Sequence, residues 1–333
     1  MTSSGDAVAS LVDPVRLGGW LDGQGLGSGE AVGLESLSGG RSNVMYAVRR
    51  GAHDWVLRRP AAVAAERAED GLRREYRILR ALEGTGVPHP RAVAWCDDRE
   101  VLGSAFYLMS RVEGVAPMPD ALPADADRRA IGLAMVDALA ALHSVDPYAV
   151  GLGDLGRPGD FHERQVDRWL KQLAGYPGGG DLPGVDTVAA WLRANRPRAF
   201  TPVLMHGDYH FGNVLVAPAE DGAPRVTAIV DWETATLGDP FLDLAAFLRI
   251  WFETGPHQGS DWEEMAARYG ERSGRKVPDL TYYIALSRFR LAILLEGIHQ
   301  RSLHDPTRPP QTALGAYARR LVGDAVADLG RGA

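Results

Sequence analysis

The chain has 333 residues, 45% hydrophobic and 24% charged, with a net charge of −7; these are the proportions of a globular protein of one large or two modest domains. The negative balance argues against a nucleic-acid or anionic-membrane partner gathered by bulk electrostatics, while leaving room for local basic patches. Cys96 is the single cysteine, which excludes an internal disulfide and a cysteine metal cage and fits the cytoplasm.

No run approaches the roughly 18 uninterrupted apolar residues of a membrane span. The opening MTSSGDAVAS lacks the basic start and apolar segment of a leader. A soluble monomer or homodimer with no membrane or nucleic-acid partner is expected. Of the 36 basic residues only Lys171 and Lys276 are lysines, so arginine carries nearly all the cationic chemistry.

Residues 1–30 are polar and end in GQGLGSG, which predicts a flexible lead-in with one short helix over 14–21. From residue 31 the pattern becomes strand, turn, strand, with Gly39, Gly40, Arg41 and Ser42 in the turn. Such a turn lets backbone N–H groups approach phosphates without side-chain obstruction; an ordinary hairpin glycine is the competing reading. A third strand, residues 55–60, ends in Arg58 and Arg59. Which of the two faces a site depends on register, because alternate residues face opposite sides. Leu72, Tyr76, Leu79 and Leu82 predict a helix within 61–83 that carries Glu75. Strands over 92–96 and 106–110, joined by the polar turn DDREVLGS, complete a five-stranded antiparallel sheet.

Helices are expected over 126–143, 161–173 and 186–195. The stretch 204–246 then sets three polar residues between two apolar runs. Asp208 precedes Asn213 with four residues between, the spacing of a loop in which the Asp accepts a hydroxyl proton and the Asn binds magnesium. A further short strand, 227–230, delivers Asp231. Magnesium prefers oxygen donors in close octahedral geometry, and Asn213 with Asp231 supply them, leaving Asp208 for the hydroxyl. The APAEDGAPR insert reads as an exposed hairpin tip. Asp239 before Pro240 reads as an N-cap, Asp243 as a brace for the Asp208 loop, and His206 as a structural donor. His206 and His210 around an Asp also suggest a metal hydrolase, but no further His or Cys at ligand spacing supports it. Helices follow over 242–251, 262–273, 280–300 and 313–329.

The run His206, Gly207, Asp208, Asn213, Asp231, Trp232, Glu233, Gly238, Asp239, Pro240, Asp243 resembles the aminoglycoside phosphotransferase superfamily. Within it, VLRRP at 56–60 and FYLMSRVEG at 106–114 are most similar to the kinase-like domain linked to acyl-CoA dehydrogenases. The resemblance implies an α+β, bilobal protein-kinase-like fold with a five-stranded antiparallel N-lobe over 31–112 and a mostly helical C-lobe over 113–333. It implies a small-molecule kinase using ATP and Mg2+, with Asp208 as base and Asn213 and Asp231 as metal ligands. Arg58 stands where kinases place a lysine, paired with a helix glutamate, here Glu75. Arginine keeps the charge but has a larger, planar head. By the same resemblance the Ser110 carbonyl and Val112 N–H pair with the base and Met109 walls its pocket.

By the same resemblance a small-molecule alcohol is the expected acceptor. Arg268, Arg272, Arg275, Lys276, Arg288, Arg290, Arg301 and Arg308 make the tail a poor match for a polycationic antibiotic, which favours a neutral or anionic metabolite. Trp251, Phe252 and Trp262 are candidate walls of that cleft, with the core as the competing and commoner place for aromatic residues on helices. The competing readings are an aminoglycoside or macrolide phosphotransferase and a nucleotide-binding pseudokinase.

Overall fold

A computed structural model describes residues 11–331 apart from 28, 38–42, 62–65 and 306–308. The chain divides into two compact units, Met1–Pro117 with Gly212–Thr234, and Met118–Phe211 with Ala235–Ala333.

The first unit is built on an antiparallel sheet of five strands in the order β1-β2-β3-β5-β4. The strands are Gly33–Leu37 (β1), Asn43–Arg50 (β2), His53–Pro60 (β3), Ala92–Cys96 (β4) and Phe106–Ser110 (β5). Alternation splits their side chains between two faces. Tyr46, Val48, Leu57, Phe106 and Leu108 pack on one face against Leu17 and Leu21 of the helix Pro14–Gly23 (α1). Met45, Val56, Arg58 and Met109 line a cavity on the other, with Met45 opposite Arg58 and Val56 opposite Met109 in the ladder.

Helix α1 begins at Asp13, whose carboxylate accepts the N–H groups of Val15 and Arg16 at 2.8 and 3.2 Å. Leu17 and Leu21, one turn apart, are fully buried, each contributing roughly 1.5–3 kcal/mol. Arg50 fastens the same segment, donating to the carbonyls of Glu30 and Gly18 at 2.9 and 3.0 Å and pairing with Asp22 at 2.5 Å. The helix expected over 14–21 is present as α1, and the flexibility expected of the lead-in is corrected, since Val12, Leu17 and Leu21 belong to the sheet unit's core. The polar turn expected between β4 and β5 is corrected as well. Asp98 accepts the Glu100 N–H at 2.8 Å and starts a short helix, Arg99–Leu102 (α3), which stops at Gly103 with φ 81°.

Glu66–Leu82 (α2) supplies the helix of this unit that bears Glu75. A hairpin of Val214–Pro218 (β7) and Pro224–Ile229 (β8) joins it, its tip closed by the Ala219 N–H on the Ala223 carbonyl at 2.7 Å. Val115 and Val216 exchange N–H···O bonds of 3.0 and 2.9 Å, and the Ile229 N–H reaches the Pro88 carbonyl at 2.8 Å.

The second unit is mostly helical, with Arg128–His143 (α4), Phe161–Ala174 (α5), Val185–Ala194 (α6), Pro240–Thr254 (α7), Trp262–Ser273 (α8), Thr281–His304 (α9) and Thr312–Arg331 (α10). A two-stranded ladder, Val203–Met205 (β6) with Thr236–Gly238 (β9), lies among them. Strand β9 has three residues, too few for an alternating pattern to announce it. Trp251 is a fully buried core residue rather than a cleft wall; its ring lies 3.0 Å from where a Cβ on Gly132 would stand. Phe252 and Trp262 pack on each other at 5.6 Å. Among the described residues no helix is long and apolar enough to cross a membrane.

Candidate active site

In the sheet unit, the face of β3 opposite the α1 core bears Arg58, and its guanidinium joins two carboxylates. Nε lies 3.0 Å from Glu75 Oε2, and Nη2 donates to Asp231 Oδ1 at 2.9 Å. Burial alone would weaken the charge on Arg58, but Glu75, Tyr107 and Asp231 more than offset it, so the guanidinium is held more firmly protonated than usual. For Glu75 the balance runs the other way: burial raises its pKa, against the opposing pull of Arg58. Its other oxygen, Oε1, accepts the Trp232 N–H at 3.3 Å, linking α2 to the residue after Asp231. The Tyr107 hydroxyl, opposite Arg58 in the ladder, is pushed well up by burial and by Glu75.

Arg59, the alternative, points to the opposite face. It donates to the carbonyls of Leu11 and Leu102, so register settles the choice in favour of Arg58.

The cavity these residues border measures about 390 Å³, within the range of small-molecule sites. Arg58, Glu75, Met109, Ser110 and Val112 line it together with Asn213 and Asp231. The Val230 N–H donates to the Asn213 carbonyl at 2.9 Å, so the two strands of the hairpin hold the amide and the carboxylate beside one another. Asp231 has φ 66°, the one non-glycine residue in the left-handed region among those described. Such a conformation costs of order 1–3 kcal/mol and is tolerated best by Asp and Asn. One carboxylate and one amide oxygen on the same cavity wall are a donor set suited to a hard cation that keeps water or phosphate in its remaining positions. The expected phosphate turn, Gly39, Gly40, Arg41 and Ser42, lies outside the described residues.

In the helical unit, the loop after β6 carries Asp208. Asp243 on α7 is buried, and its Oδ2 and Oδ1 accept the N–H groups of His206 at 2.7 Å and Gly207 at 3.0 Å. The His143 ring lies 3.4 Å from the same carboxylate, and the Tyr209 hydroxyl donates to the Met135 carbonyl of α4 at 2.7 Å. The loop is pinned on both sides of Asp208, whose own side chain stays 54% exposed with His210 Nε2 at 3.6 Å. His206 is fully buried and braces the loop through its backbone N–H.

Asp239 does cap α7, accepting the Phe241 N–H at 3.1 Å. It is also fully buried, receiving the Tyr283 hydroxyl at 2.8 Å with His162 Nε2 at 2.9 Å. Nothing in the sequence links residues so far apart.

Several of the tail's arginines are paired within the protein. Arg268 and Arg272 bind Asp137 at 2.7 and 3.2 Å. Arg288 bridges Glu253 and Asp328, and Arg275 donates to the His143 carbonyl at 3.0 Å. Arg290 and Arg249 do line a small hollow with Asp208. Arg249, Ser287 and Tyr107 were not anticipated; for Tyr107 the signal was available, since it shares the strand parity of Met109.

The paired Arg58 and Glu75 beside Asn213 and Asp231 lie on a kinase-like fold. The sequence pattern of the APH phosphotransferase enzyme family matches residues 33–282, and the chain belongs to that family. That family is one of phosphotransferase enzymes. Acyl-CoA dehydrogenase family member 11 of Gallus gallus is 31% identical over 326 residues, covering 90% of this chain and 38% of that protein. Acyl-CoA dehydrogenase family member 10 of Mus musculus is 31% identical over 281 residues, covering 79% of this chain and 26% of that protein. The chain thus spans under two fifths of the length of these relatives. A crystal structure of a candidate aminoglycoside phosphotransferase from Ralstonia eutropha is similar with a TM-score of 0.82 and 30% identity, over 96% of this chain and 98% of that one. The resemblance to the kinase-like domain linked to acyl-CoA dehydrogenases and the expected protein-kinase-like α+β fold are both borne out.

Proposed function

We propose that the chain transfers the γ-phosphate of ATP to a hydroxyl of a small neutral or anionic metabolite. The observation that carries this reading is the cavity in which Arg58, tied to Glu75, shares a wall with Asn213 and Asp231. Met109, Ser110 and Val112 border the same cavity and would receive the adenine. Arg58 would hold phosphate oxygens in its planar fork. Asn213 and Asp231 would hold magnesium, which supplies charge neutralisation at the phosphates when bound. Asp208, more than half exposed on a loop fixed by Asp243, would accept the proton of the acceptor hydroxyl. Phosphoryl transfer depends mainly on positioning and electrostatics, and a pinned loop with an exposed carboxylate suits that demand.

ADP release over a panel of alcohols, with calorimetry of ATP and GTP in the presence and absence of magnesium, tests the reading. Magnesium-dependent binding with turnover that disappears in Asp208→Ala is the expected result. Binding with no turnover of any alcohol would favour a pseudokinase instead. An aminoglycoside acceptor finds its support in the Ralstonia relative's name; Arg249 and Arg290 beside Asp208 weigh against a polycation, and resistance on expression checks it.

A further inference from the structure

Three charges meet near the end of β3. Arg58 lies between Glu75, whose Oε2 is 3.0 Å from its Nε, and Asp231, whose Oδ1 accepts from its Nη2 at 2.9 Å. The two carboxylates are not alike. Glu75 is buried, whereas the Asp231 side chain is 39% exposed and borders the cavity. With one guanidinium against two carboxylates, one negative charge is left over, and the cluster retains an attraction for a further cation.

The chain itself sets where Asp231 stands. Its backbone is left-handed, with φ 66°, and the N–H of the next residue, Trp232, is held by Glu75 Oε1 at 3.3 Å. On the other side the Val230 N–H donates to the Asn213 carbonyl at 2.9 Å. The carboxylate is therefore kept at the cavity whatever its partner. Arg58 is kept as well, because Glu75 holds Nε and the guanidinium spreads its donors in a fixed plane. A bare divalent cation arriving at Asp231 would compete with Nη2 for Oδ1 and meet the guanidinium as a like charge. A phosphate acts in the opposite sense. It offers Arg58 an acceptor in place of Asp231, in the charge-assisted geometry arginine favours, and releases Asp231 for a cation shared with the phosphates.

We infer that the Arg58–Asp231 pair is an exchangeable latch on the cation site, closed to bare divalent cations and opened when the phosphates of a nucleotide take Arg58. The inference rests on the phosphotransfer reading above and adds the order in which that site accepts its ligands. Coupling between two ligands is reciprocal. Loss of Arg58 must favour the bare cation, and loss of the Asp231 charge must favour the metal-free nucleotide.

Both arms are read as binding, without turnover. Free Mn2+ is titrated into the full chain by electron paramagnetic resonance with no nucleotide, and ATP is titrated by calorimetry in EDTA. Arg58→Met is made together with Glu75→Gln, so that no buried carboxylate is left alone. This double variant is expected to bind Mn2+ about tenfold tighter than Glu75→Gln by itself, the lower end for one charged hydrogen bond, since Asp231 is partly exposed. Asp231→Asn keeps a side chain that tolerates the left-handed backbone, and should bind metal-free ATP about tenfold tighter than the wild type by the same measure. Glu233→Gln removes another carboxylate from the same cavity and should shift metal-free ATP far less. Equal shifts in Asp231→Asn and Glu233→Gln reduce the effect to bulk charge and overturn the inference, as does Mn2+ binding unchanged by the loss of Arg58. Where the Arg58 variant does not fold, the Asp231→Asn arm decides alone. Wild-type ATP binding that tightens with magnesium while both arms fail removes the latch and leaves the phosphotransfer reading standing. No ATP binding under either condition overturns that reading, and the inference with it.

Discussion

Arg58 in the sheet unit is surrounded by its own counter-charges, Glu75 and Asp231, whereas Asp208 in the helical unit is positioned through its neighbours' backbone and keeps its carboxylate exposed. The first arrangement stiffens a surface before any ligand arrives, because each buried charge already has a partner. The second leaves one acid accessible while removing freedom from the loop that bears it. A group that grips can be tied into the fold, and a group that must meet a changing substrate is better held from behind.

That contrast is open to measurement. The largest effect is expected for Asp208→Ala, which should lower kcat by about 10²–10⁴-fold, the usual contribution of a positioned general base. Nucleotide affinity and melting temperature should stay at wild-type values; a marked loss of stability would mean that the exposed acid is structural after all. Glu75→Ala should show the opposite signature. Removing one partner of a buried ion pair costs about 3–5 kcal/mol, towards the lower end here because Asp231 remains on Arg58, and chemical denaturation should report it along with weakened ATP binding. Gly238→Ala sharpens the picture of the helical unit, since its Cβ would stand 2.5 Å from the Phe161 ring and 2.6 Å from Met205 Sδ. Overpacking of that kind costs ~1–3 kcal/mol, read as a lower melting temperature with the nucleotide cavity's affinity kept. The smallest change belongs to Arg193→Ala, which removes an exposed pair with Asp167 at 2.6 Å and should alter stability by under about 1 kcal/mol.

Legibility in the sequence followed the same division. The alternation of β2, β3 and β5 made the sheet readable, and parity alone decides that Arg58 and Arg59 face opposite ways once the register is known. Asp208, Asn213 and Asp231 stood out because their spacing belongs to one short stretch. The Asp239, His162 and Tyr283 cluster could not be read, since it joins three elements through side chains that no local pattern relates. Nor could the cations of the tail be sorted from composition: whether an arginine meets Asp137, Glu253 or a ligand depends on which helix faces pack together. Arg290 is set apart from Arg288 only by two positions along α9, enough to turn it from a carboxylate towards Trp169 and the hollow.

The left-handed backbone at Asp231 separates what folding favours from what the chemistry requires. Glycine would relax that position and alanine would not, although both delete the carboxylate. Asp231→Gly should therefore melt higher than Asp231→Ala while both are equally inert. The gap between the two midpoints gauges the tension the chain tolerates to keep an acid at a bend where an unselected sequence would leave none.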